Sequence, residues 1–268
     1  MIQLSRFIIL AISVWALSSC EKVIDIELNE EDRQIVIEAR LRSGDHPFEV
    51  KINKTTGYFS SETPIQVMNA FVELKDEDGN TYSIPHVGEG RYVKQINAEE
   101  NKQYTLTVVA EGQTYKASSF MKSPVPLLGL ASTYEEETSN TEAHYRVKYN
   151  FTDPADQENW YRIRNYVDGV EQREVEDLVV LSDENFNGQN RTRTLRNGRY
   201  YPGEEVTIEL VHIEEAAFEY YSSLQDIVGG GFSAGVAAPG NPTTNWSDKA
   251  LGSFITFSSD QQSIVIPG

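Results

Sequence analysis

The residues with the clearest chemical meaning stand near the start of the chain. Leu17-Ser18-Ser19-Cys20 places the single cysteine three positions after a leucine and directly behind two small residues. That is what a bacterial lipobox requires: small side chains admit a signal peptidase to the scissile bond, and a free thiol accepts diacylglycerol. The apolar run FIILAISVWAL, from Phe7 to Leu17, follows a short n-region carrying Arg6. It is shorter than the ~20 apolar residues a membrane-spanning helix needs, so it reads as a signal h-region. Residues 1–19 are thus expected to be a signal peptide, and the mature protein to start at a lipidated Cys20. The alternative is an ordinary signal peptide with a chance cysteine. A diacyl thioether plus an N-acyl chain exceeds the two lipid signals needed for stable anchoring. Residues 20–32 (CEKVIDIELNEED) read as an acidic, solvated tether.

Other chemistry is sparse. Asp183, Asn185, Asn187 and Gly188 match positions 1, 3, 5 and 6 of a calcium loop, but Thr194 stands where a bidentate acid is needed. Asx and Gly residues also build hairpin turns, which is the stronger reading. His212 lies near Glu214 and Glu215, the one place where a general base is conceivable; a lone histidine beside acids is more commonly structural. No His-Glu-x-x-His or Walker loop occurs. The expectation is a protein without catalytic residues, metal or cofactor. Aromatics are the remaining lead, since exposed rings stack on sugars or anchor partners. In pairs such as Trp160-Tyr161 and Tyr200-Tyr201, a strand buries one ring and exposes the other. Trp160, Tyr200, Phe232, Asn245 and Trp246 are the candidate contact residues.

Composition bounds the elements that must position them. With 268 residues, 39% hydrophobic, the chain has ample core material. Twenty-three basic against 41 acidic side chains give a net charge of −18, which leaves no electrostatic footprint for nucleic acid. One cysteine and four scattered histidines exclude a disulfide framework and a Cys-cluster zinc site. Residues 33–122 show period-two patterning in about seven short strands with turn signals between them, the pattern of an antiparallel immunoglobulin-like or prealbumin-like sandwich. Ser123-Pro124-Val125-Pro126 marks a boundary, across which relative motion is the default. Residues 127–268 read as a second β-rich domain. Residues 145–151 and 160–166 look like hairpin partners there, with further strands over 175–181, 253–257 and 263–266. One amphipathic helix is predicted over 214–228, stopped by Gly229-Gly230-Gly231. Residues 232–247 form a long Gly/Pro/Asn-rich loop, a type often functional.

Taken in order, Ser19-Cys20, Ile35-Val36-Ile37-Glu38-Ala39, Gly90-Arg91-Tyr92, Phe151-Thr152-Asp153-Pro154, Asn159-Trp160-Tyr161 and Leu251-Gly252-Ser253-Phe254 resemble a family of Bacteroidota outer-membrane lipoproteins that carry a domain of unknown function, DUF4249. The acids behind Cys20 are similar to the export signal of surface-exposed lipoproteins in that group. The first domain is similar to the carboxypeptidase regulatory-like module found at the front of TonB-dependent transporters. The resemblance implies an outer-membrane lipoprotein, facing the cell exterior and often encoded beside such a transporter. It brings no catalytic or ligand residues. Three functions follow as expectations: a non-enzymatic accessory of a TonB-dependent β-barrel in nutrient or peptide capture, a surface adhesin or glycan-binding module, and, more distantly, a hydrolase. The ligand, whether small molecule, peptide or glycan, stays open.

Overall fold

The computed structural model describes residues 33–56, 63–195, 198–229 and 240–268. Cys20 with Leu17, Ser18 and Ser19, the tether, and Phe232 lie outside them. The first half is all strand: β1 (Ile35–Arg42), β2 (Gly44–Lys54), β3 (Phe71–Asp76), β4 (Thr81–Ser83), β5 (His86–Gly88), β6 (Arg91–Ala98), β7 (Lys102–Ala110) and β8 (Gln113–Met121). The second half adds β9 (Leu127–Glu135), β10 (His144–Thr152), β11 (Trp160–Val167), β12 (Val170–Glu171), β13 (Val179–Ser182), β14 (Asn190–Thr194) and β15 (Glu205–Ile213). After these come helix α1 (Glu215–Gly229) and the long final strand β16 (Phe254–Val265).

Alternation explains the layers. In β1, Ile37, Ala39 and Leu41 are buried while Glu38 and Arg40 point to the other face. Val72 and Leu74 of β3 and Leu106 and Val108 of β7 close the same core from the opposite sheet, ordered β4-β3-β7-β8. A second core lies between β11, β15 and the end of β16 on one side and the sheet β14-β10-β9 on the other. Over the described residues the protein is therefore mainly β, built as sandwiches with one α-helix.

The boundary at residues 123–126 does not divide it into separable parts. A nine-stranded sheet runs β12-β11-β15-β16-β1-β2-β6-β5, with β13 added on β11, and so crosses both cores. Its hinge is β16, which pairs parallel with β1 from Ala39↔Phe254 to Arg42↔Phe257 and then antiparallel with β15 from His212↔Ser258 to Glu205↔Val265. The C-terminal segment also gives Trp246, Ala250 and Phe254 to the first core. The proline segment is tied along this seam: Val125 is buried, and Leu127 N–H donates to Asp260 Oδ2 at 2.7 Å. Residues Arg33–Gly268 form one compact unit. A strand contributed from far along the chain was invisible to local periodicity.

Three further differences come from tertiary pairing. β10 and β11 are not hairpin partners: β10 pairs with β9 and β14, and β11 with β12, β13 and β15. They face each other across the core instead, with the Phe151 and Tyr161 rings 5.1 Å apart. Residues 253–257 and 263–266 fall almost wholly on one continuous strand, Phe254–Val265, whose two ends serve different neighbours. Residues 175–181 split into a short 3-10 turn (Val175–Asp177) and β13.

Candidate functional site

The long sheet has a core face and a second face. On the second, alternation places Arg40 and Arg42 of β1, Arg162 and Arg164 of β11, and Glu209, Val211 and Ile213 of β15. Helix α1 lies on part of this face through Ala217, Tyr220 and Tyr221, which join Val211, Ile213 and Ile255 in a third apolar cluster. The helix starts directly after β15, and Glu214 holds that corner by accepting from the Phe120 N–H at 3.0 Å. Its amphipathic stripe must be covered, and the apolar ends of β15 and β16 are the nearest cover.

Between the helix, the sheet and the connection from β12 to β13 lies a groove of about 540 Å³. Its floor is apolar, with Val211, Ile213, Ile255 and Phe257, and Leu224 and Val228 line the helix side. Arginines stand over this floor. Arg164 is neutralised: Nη1 donates to Glu209 at 2.8 Å and Nε to Glu171 at 2.7 Å. Glu209 is buried and also accepts from Tyr166 and Ser259, with Arg42 at 3.5 Å. Burial pushes the Glu171 carboxyl up, but hydrogen bonds from Arg164 and Arg173 outweigh it and hold the pKa at about 2.

Arg162 and Arg40 differ. Arg162 Nη1 donates to the Tyr221 hydroxyl at 3.0 Å, and its guanidinium lies 4.5 Å from the centre of that ring. Its Nε is buried without a partner. Arg40 lies beside Tyr221 in the groove lining, and Tyr221 and Glu38 raise its pKa. Among the described residues neither guanidinium has a carboxylate within ion-pair distance. At the other side of the groove, Glu174 and Asp177 have no cation within ion-pair distance among the described residues. These residues were missed in the sequence. The usable signal was alternation, with Arg40/Arg42 and Arg162/Arg164 each on the polar side of a strand in a strongly acidic chain.

The residues proposed from sequence serve mostly as structure. Tyr200 is 1% exposed, its hydroxyl accepting from Asn165 Nδ2 at 3.1 Å, while Tyr201 next to it is exposed. Trp246 is 6% exposed and donates from Nε1 to the Ile37 carbonyl at 3.0 Å. Asn245 clamps β16, accepting from Phe254 N–H and donating to Phe254 O at 2.7 Å. Neither Tyr200 nor Trp246 has a free ring face for a sugar or partner. They are core because strand pairing from distant segments covered them. Trp160 is partly exposed, on the helix side of the sheet with Lys122 above its ring at 5.0 Å.

Asp183 is buried and faces inward, its Oδ2 accepting from the Asn159 N–H at 2.9 Å. Asn185 and Asn187 are exposed on the turn that Asp183 starts, and Gly188 N–H donates to Asp153 Oδ2. The carboxylate that would begin a calcium cage is spent on Asn159, while the Asp183 backbone carbonyl closes the turn. Among the described residues no three His, Cys, Asp or Glu side chains gather as metal ligands.

His212 is 1% exposed and does not meet Glu214. Its Nδ1 lies 2.6 Å from the Ser123 carbonyl and its Nε2 3.0 Å from Asn159 Oδ1, beside the stacked Tyr161 ring. Both neighbours are acceptors, so the geometry would also accommodate a second proton. The cost of burying that charge, with Lys122 nearby, is larger and pushes the ring down to about 4, with the Nδ1–H donating to Ser123. The ring pins the proline segment to β15 and has no route to a substrate. Its pKa is depressed on folding, so the stability it contributes is present above the ordinary histidine value of 6.5 and is lost as pH falls toward 4. The full loss is about 3 kcal/mol, from ~1.4 kcal/mol per pKa unit. Urea titrations at pH 7 and pH 4.5 on the wild type and His212→Gln should show a shallower acid loss in the variant. Equal losses would refute this role.

Three comparisons with known proteins bear on this chain. A family model described as "Domain of unknown function (DUF4249)" matches residues 21–263. A search of the curated proteins finds no match. Among solved structures, a two-domain fibronectin type-III segment from chicken tenascin aligns at 13% identity over 68% of this chain and 91% of that one, with a TM-score of 0.23.

Proposed function

The chain belongs to the DUF4249 family, and we propose that it is a lipid-anchored, non-enzymatic binding protein of the outer membrane, facing the cell exterior. It serves there as an accessory of a TonB-dependent transporter in the capture of nutrients or peptides. The observation that carries the binding role is the groove beneath α1, an apolar floor overlooked by two guanidiniums that have no carboxylate partner among the described residues. The lipobox ending at Cys20 supports the anchor. The resemblance to lipoproteins encoded beside TonB-dependent transporters supports the partner.

The test is a mild-detergent pull-down of the C-terminally tagged full-length protein, with mass spectrometry of what is retained. A stoichiometric outer-membrane β-barrel is the expected result. A partnerless lipoprotein would overturn the transporter assignment. In the same cells Cys20→Ser should move the protein out of the membrane fraction, because the lipid is its only proposed attachment. Continued sedimentation with membranes would refute the anchor.

A further inference from the structure

The groove carries an imbalance of charge at both of its sides. Arg40 and Arg162 both line the groove with Tyr221, Arg162 donating to its hydroxyl, and they come from strands three positions apart in the sheet. At ~4.8 Å per strand, that brings in cations from about 14 Å apart. Such an arrangement holds two planar donors ready for a carboxylate, which a guanidinium binds through paired N–H groups. The buried, unpartnered Nε of Arg162 is a donor the protein itself leaves unsatisfied, which is costly unless a ligand completes it. Across the apolar floor, the β12–β13 connection presents Glu174 and Asp177, carboxylates with no cation within ion-pair distance among the described residues. A ligand satisfying all three features has a carboxylate at one end, an ammonium at the other and apolar side chains between. The volume of about 540 Å³ is in the range of small-molecule sites and is larger than a single amino acid fills.

We propose that the groove beneath α1 binds a short zwitterionic peptide with apolar side chains, its C-terminal carboxylate on Arg40 and Arg162 and its N-terminal ammonium toward Glu174 and Asp177. This rests on the capture role above and names its cargo. Tyr221 lies beside both guanidiniums, and Phe257 and Leu224 bear against the peptide side chains. The acidic exterior of the chain repels free anions, so a simple carboxylate is a poorer ligand than a peptide whose net charge is zero.

The experiment is isothermal titration of the detergent-purified full-length protein with the dipeptide Leu-Phe, its C-terminal amide, its N-acetyl form, free leucine and octanoate. Leu-Phe is expected to bind saturably. Blocking either end should weaken binding at least tenfold, and leucine and octanoate should bind at least tenfold more weakly. Arg162→Gln and Arg40→Gln should each weaken Leu-Phe at least tenfold. Arg40 is exposed, so its variant keeps the test valid should Arg162→Gln unfold the protein. Absence of Leu-Phe binding, equal binding of the amide or N-acetyl form, or tighter binding of octanoate would each overturn the assignment. A β-barrel captured equally by wild type and Arg40→Gln, without Leu-Phe binding, sinks the groove proposal and leaves the transporter partnership standing. Leu-Phe binding without any captured barrel does the reverse.

Discussion

Trp246→Ala should lower the unfolding free energy by about 3–5 kcal/mol, the usual cost of emptying a large aromatic site in a packed core. The indole is buried in the first core beside residues of β1, although it arrives from a segment some 200 positions later in the chain. Its Nε1–H also satisfies the Ile37 carbonyl, so removal leaves both a cavity and an unpaired acceptor in a strand whose side chain is fully buried. Trp160→Ala, on a partly exposed ring, should cost clearly less. Urea denaturation followed by tyrosine and tryptophan fluorescence and by far-ultraviolet circular dichroism measures both. A Trp246→Ala protein as stable as wild type, yet defective in ligand binding, would make the indole a contact residue after all.

Gly252→Ala is expected to be at least as damaging, for a backbone reason. Gly252 has φ +86, and an added Cβ would stand 2.3 Å from the Ile37 carbonyl oxygen and 2.9 Å from its carbon. Those atoms belong to the strand that β16 must join, where Ile37 N–H donates to Leu251 O at 2.8 Å and Ala39 N–H to Ser253 O at 3.0 Å. The methyl cannot move aside, so the parallel seam between β1 and β16 must open. Backbone strain alone is worth ~1–3 kcal/mol, and loss of seam hydrogen bonds adds to it, for an expected total of about 4 kcal/mol. Gly203→Ala is the control: it has φ +91 but open space around it, so only the cost of the left-handed conformation, ~1 kcal/mol, should appear. Similar losses at the two positions would mean that the seam does not depend on close approach at Gly252.

The two effects share a cause in the architecture. Both residues sit in the segment that returns from the second half to complete the first, and both act on Ile37. Truncating the chain at residues 123–126 would remove β16, the indole and the Asn245 clamp from the first core together.

Much of the fold was legible because strand alternation is a local property. Ile37, Ala39 and Leu41 face inward as their period of two demands, and α1 falls within a residue of the 214–228 prediction because its apolar spacing and the glycines after it are contiguous signals. The lipobox was legible for the same reason, since a peptidase reads a short contiguous segment. The pairing of β16 with both β1 and β15 was not legible, because strand partners far apart in the chain, more than 200 residues for β1, leave no mark on local periodicity. Of two aromatic residues in one strand pair, alternation says that one is buried, and only the position of the opposite sheet decided that Tyr161 and Tyr200 are inside. The groove belongs wholly to that second kind of information. Four arginines lay in plain view at alternate positions of two strands, but two of them were neutralised and two left open by acids brought in from β12 and β15. Charge pairing is a matter of distance in space, and the tertiary structure alone set it.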